Sequence, residues 1–73
     1  MSTPADRRKV VNGHIYTLIP ASAIEVGLLC DGKAVRTWWA QRFDGVMPSI
    51  DHPTIRQAID NHEQLVKEYP SSL

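Results

Sequence analysis

Four side chains of this 73-residue chain have the reactivity for metal binding, acid–base or nucleophilic work: His14, Cys30, His52 and His62. A metal site announces itself by ligand spacing, such as two histidines four apart on one helix face. The three histidines instead fall in a turn, a helix cap and a helix, and read as a turn residue, a first-turn residue and a residue at the edge of an apolar stripe. Cys30 stands beside Asp31-Gly32 and as a nucleophile would need His14 or His62 as base. Nothing in the spacing joins them, and a lone cysteine at a strand end reads as a small hydrophobe. The four glycines (13, 27, 32, 45) are dispersed, three of them at turns, so no phosphate-cradling loop is present. The expectation is a protein that is not an enzyme and uses no cofactor or metal.

What remains is a surface for binding. "VRTWWAQRF", residues 35–43, contains three of the five aromatic residues. In a strand, neighbouring side chains point to opposite faces, so Trp38 and Trp39 separate. A two-residue turn at Asp31-Gly32 pairs Leu28 with Val35, Val26 with Thr37 and Ile24 with Trp39, and this face is predicted as core. The opposite face carries Trp38 between Arg36 and Arg42, an aromatic rimmed by cations as at interface hot spots. Trp38, Arg36 and Arg42 are the first predicted partner contacts, and the run Arg7, Arg8, Lys9 the second. The competing structural reading covers Trp38 with the first hairpin or with the stem of Arg36 through packing and cation–π contact. A competing functional reading makes Tyr16, Trp38, Arg36 and Arg42 a platform for single-stranded nucleic acid.

The elements that position these residues follow from turn chemistry and periodicity. Residues 1–6 are small and polar and read as a disordered arm. Asn12-Gly13 makes a hairpin of residues 7–11 and 14–19, with Ile15, Thr17 and Ile19 on one face, Tyr16 and Leu18 on the other, and Pro20 as the stop. Ser22 and Glu25 have capping-box spacing, but Gly27 and the alternation of Ile24, Val26 and Leu28 favour a strand over residues 22–30. After Phe43 a loop leads to Asp51 as cap and Pro53 in the first turn of a helix over 51–69. Its stripe is Ile55, Ala58, Ile59, His62, Leu65, Val66 and Tyr69, predicted to pack on Val35, Thr37, Trp39 and Phe43. Arg56 with Asp60 and Glu63 with Lys67 are spaced to support it. Pro70 ends the helix and 70–73 form a tail. The fold class is α+β: two hairpins forming a small antiparallel sheet (residues 7–43) under one carboxy-terminal helix.

A single domain of this size has a thin stability margin, roughly 3–5 kcal/mol from its core. One cysteine excludes a disulfide framework and suits a reducing, cytoplasmic compartment. No apolar run approaches a membrane span. Eight basic and eight acidic residues cancel, which argues against a protein devoted to neutralising nucleic-acid phosphates. Residues 1–42 hold six of the bases and three of the acids, so the amino-terminal part is basic and the remainder acidic. The two parts either present opposite surfaces or neutralise each other across the fold.

From "MSTPADRRKVVNGHIYTLIP" to "NHEQLVKEYPSSL", and in its length, the chain resembles the small transcription regulators of lytic Xanthomonas phages that bind the host RNA polymerase. The chain is expected to be a monomer, and the resemblance implies action in the host cytoplasm on the amino-terminal region of the polymerase largest subunit, near the RNA exit channel. There it would inhibit sigma-dependent initiation and promote antitermination. It supplies no motif from which contact residues transfer.

Overall fold

Two short turns frame the molecule. In the computed structural model, which describes residues 7–69, Asn12 and Gly13 have φ of 51° and 82°, and Asp31 and Gly32 have 51° and 85°. This is the backbone of a two-residue type I′ turn, open to Gly, Asn and Asp at little steric cost. These turns join β1 (Arg8–Val11) to β2 (His14–Ser22) and β3 (Glu25–Cys30) to β4 (Lys33–Trp39). A third turn at Ala23 and Ile24 links β2 to β3, giving an antiparallel sheet of order β1-β2-β3-β4, and α1 (Pro53–Glu68) follows. The α+β fold is the one the sequence predicts. The expected arm (1–6) and tail (70–73), with Pro70, lie outside the described residues.

Residues 25–30 are a strand rather than a helix. The capping-box pair closes the β2–β3 turn instead: Ser22 Oγ accepts from the Ile24 amide at 3.3 Å and donates to Glu25 Oε1 at 3.0 Å. Pro20 does not stop β2, which continues to Ser22 with an irregularity at Pro20/Ser22. The reason lies in hydrogen-bond alternation. The Leu18 amide donates towards β1, to the Arg7 carbonyl, so residue 20 also faces that side, where β1 no longer runs and no donor is required.

The main departure from expectation is in β4. Cys30 pairs with Lys33 and Leu29 with Ala34, but Leu28 pairs with Arg36, leaving Val35 as an extra residue. Such a bulge shifts the facing of every later side chain by one. Val26 therefore faces Trp38 rather than Thr37, and Glu25 faces Trp39. Trp38 is 6% exposed and Trp39 64%. The predicted sides of the two indoles are thus exchanged: Trp38 belongs to the core and Trp39 to the surface. Ile24, expected in the core, sits in a turn and is 60% exposed.

The core lies between one sheet face and α1. Tyr16, Leu18, Val26, Leu28, Cys30 and Trp38 from the sheet meet Ile55, Ala58 and Ile59 from the helix, closed by Phe43 and Ile50. The helix packs on this face, not on the predicted Thr37 and Trp39. Beyond His62 its stripe leaves the core, and Leu65 and Tyr69 are exposed. β4 ends at Trp39, and residues Ala40–Phe43 form a 3-10 turn instead of continuing the strand. The α1 cap is His52, whose Nδ1 accepts from the Thr54 amide at 3.1 Å. Asp51, the predicted cap, instead accepts from Lys9 Nζ at 2.8 Å, with Arg56 at 3.8 Å. That bridge joins the basic and acidic parts of the chain, so they neutralise each other at this point.

Candidate binding surface

With one helix on one face of the sheet, the other face has no layer over it among the described residues. Register places Arg8, Val10, Ile15, Thr17, Ile19, Gly27, Leu29, Ala34 and Thr37 there, with Glu25 opposite Trp39 at its end. Val10 is 63% exposed and Ile15 is also exposed. Gly27 permits close packing at its middle, since a Cβ there would lie 3.3 Å from Ala21 Cβ and 3.4 Å from Ile19 Cγ1. Trp39 stands at one end of this face. It borders a shallow hollow of 420 Å³ shared with Thr37, Gln41, Arg42 and an edge of Trp38, and a second shallow one of 570 Å³ shared with Ile24, Ala40 and Asp44. An exposed indole flanked by concave surface and a guanidinium is the composition of a protein-binding hot spot.

The predicted contact residues are only partly assembled here. Trp38 is buried, its ring edge-on to Phe43 at 6.1 Å and covered by the Arg36 guanidinium 5.4 Å from the ring centroid. Of the competing reading only the Arg36 contact is present: the ring is buried because the bulge turns it into the core, not because the first hairpin or the Arg36 stem covers an outward face. Arg36 therefore lies on the helix side of the sheet, away from Trp39. Arg42 is exposed on the 3-10 turn and lines the same hollow as Trp39. The run Arg7, Arg8, Lys9 is not one patch: Arg8 points outward while Lys9 is held by Asp51 on the opposite face. Tyr16 is fully buried, so the proposed platform of Tyr16, Trp38, Arg36 and Arg42 does not form.

A second group of polar side chains gathers where the hairpin ends meet the helix. The Tyr16 hydroxyl donates to Glu63 and lies 2.8 Å from His62 Nδ1, and Asn12 Nδ2 donates to Glu63 Oε1 at 2.9 Å. Burial pushes the Tyr16 phenol well above its ordinary range, and the Glu63 carboxylate adds to this. Burial also raises Glu63, but the hydrogen bonds from Tyr16 and Asn12 outweigh it and hold the carboxyl below its usual 4.5. The predicted pairing of Glu63 with Lys67 is thus replaced by contacts to the sheet. Tyr16→Phe should remove about 1–3 kcal/mol by leaving His62 and Glu63 without the hydroxyl. Urea denaturation measures this, and an unchanged midpoint would contradict it.

The depressed Glu63 carboxyl carries a pH signature. A group whose folded pKa lies below its unfolded one contributes stability that is present above the unfolded value and lost as pH falls through the folded one. Wild-type protein should therefore lose stability as pH drops below about 4.5, and Glu63→Gln should flatten that part of the profile. Parallel acid slopes for both proteins in thermal melts at stepped pH would show that Glu63 is not responsible.

Beside this network lie His14, Cys30 and Asp31. His14 Nδ1 is 2.9 Å from Asp31 Oδ2, the Ile15 amide donates to Asp31 Oδ1 at 3.0 Å, and Cys30 Sγ is 4.0 Å from Asp31 Oδ2. The hydrogen bond to Asp31 raises His14, while the Ile15 amide, then His14, lowers Asp31. Burial raises the Cys30 thiol. Spacing along the chain conceals this convergence. It arises because the β2–β3 pairing sets Tyr16 opposite Cys30, which places His14 beside the Asp31-Gly32 turn.

No helix among the described residues is long and apolar enough to cross a membrane. Compared with known proteins, the chain matches no family model, no curated protein and no solved structure, so the surface is read from its own residues.

Proposed function

We propose that this protein is a non-catalytic binding module that docks on the host bacterial RNA polymerase through the open sheet face, with Trp39 as its anchor and Arg42 beside it. The observation that carries the docking reading is the 64% exposed Trp39 at the end of a sheet face that no layer covers among the described residues. The identity of the partner comes from the likeness to phage transcription regulators. Occupation of the amino-terminal region of the largest subunit, near the RNA exit channel, weakens sigma binding by the same factor that sigma weakens the regulator's. The same occupancy on elongating polymerase favours readthrough at terminators.

Purified host polymerase passed over the immobilised protein tests this. Retention at micromolar concentration is expected, together with reduced initiation at sigma-dependent promoters and increased readthrough in a reconstituted transcription assay. Absence of retention would remove the proposal. The alternative, direct single-strand binding by Trp39 and Arg42, would appear as Trp39 fluorescence quenching by a short oligonucleotide that weakens steeply with salt.

A further inference from the structure

We propose that His14, Cys30 and Asp31 form a binding site for a divalent transition metal ion, zinc by the chemistry of its donors. The proposal is independent of the polymerase reading. A ring nitrogen of His14, the Cys30 sulfur and a carboxylate oxygen of Asp31 all lie within 4.8 Å of one another. Around tetrahedral zinc, with bonds of about 2.0–2.3 Å, neighbouring ligand atoms are separated by about 3.3–3.7 Å. The 2.9 Å between His14 Nδ1 and Asp31 Oδ2 and the 4.0 Å between Cys30 Sγ and Asp31 Oδ2 bracket that range.

The donor set suits the ion in kind as well as distance. Imidazole, thiolate and carboxylate are the three protein ligand types zinc accepts, and a sulfur among them disfavours magnesium and calcium. On binding, Cys30 loses its thiol proton to solvent and the sulfur–metal bond replaces the S–H bond. The thiolate and the Asp31 carboxylate then balance the divalent charge, with His14 neutral.

The surroundings supply a frame and an open position. Cys30 is held in β3 opposite Tyr16, and Asp31 is fixed through the Ile15 amide, an outer contact that orients the carboxylate. The three residues line a 360 Å³ cavity together with Lys33, Ala34, Val35, His62 and Val66. Room therefore remains for water as the fourth ligand, the arrangement of a zinc site with an exchangeable position.

Cobalt(II) chloride titrated into the reduced full-length protein tests the assignment, because cobalt reports its ligands by absorption. Expected are a thiolate-to-cobalt charge-transfer band saturating at one ion per chain, the visible bands of a four-coordinate ion, and loss of both on adding zinc chloride. His14→Ala and Asp31→Asn, on the rim of the fold, should each weaken cobalt binding at least about tenfold while keeping the wild-type far-ultraviolet circular dichroism. Cys30→Ser should abolish the charge-transfer band. Absence of that band in wild-type protein at saturating cobalt, or an unchanged titration in folded His14→Ala and Asp31→Asn, would overturn the site.

Discussion

Trp38→Ala is expected to destabilise the domain by about 3–5 kcal/mol, the usual loss for deleting a buried aromatic. A core of this size supplies roughly that much in total, so the variant should be largely unfolded at 25 °C, with no cooperative thermal transition. The ring touches Phe43 edge-on and lies under Arg36, so the substitution removes packing from both sides. Trp38 Nε1 is buried without a hydrogen-bond partner among the described residues, a state that costs about 1–3 kcal/mol. Phenylalanine has no such donor, so Trp38→Phe should fall far short of the alanine loss. A folded Trp38→Ala protein would show that the indole is peripheral and the assigned register wrong.

Trp39→Ala is expected to do the reverse. The ring is mostly in water, so the midpoint of denaturation should move little. Retention of host polymerase should fall by about 2 kcal/mol or more, roughly thirtyfold, as for a hot-spot tryptophan. Arg42→Ala should weaken retention less, since a rim charge acts mainly on encounter rate and salt dependence. Surface plasmon resonance with the core enzyme separates these effects. Unchanged affinity in Trp39→Ala would detach the polymerase proposal from this face, whereas loss of binding with loss of fold would place Trp39 in the structure instead.

These two experiments touch the place where the chain was hardest to read. Asn12-Gly13 and Asp31-Gly32 declare their turns because few residues accept positive φ, and the Ile55, Ala58, Ile59 spacing declares a helix. The alternation of Val26 and Leu28 correctly marks the buried side of β3. None of these signals reports the number of residues opposite Leu28. Val35 is as good a strand residue inside a bulge as in a regular ladder, so local preference is silent on the one residue that decides where both indoles go. The cap moved from Asp51 to His52 because Lys9, more than forty positions away, binds the aspartate. His14, Cys30 and Asp31 were hidden for a related reason. Their meeting depends on a β2–β3 turn made by Ala23 and Ile24, which carry no turn signature.

The extra residue at Val35 makes the choice of exposed indole depend on chain length as well as on chemistry. Downstream of it, inner and outer roles are assigned by whether an even or odd count separates a position from the Asp31-Gly32 reversal. A lineage carrying this hairpin could exchange its exposed and buried tryptophans by gaining or losing a single codon there, without altering either indole.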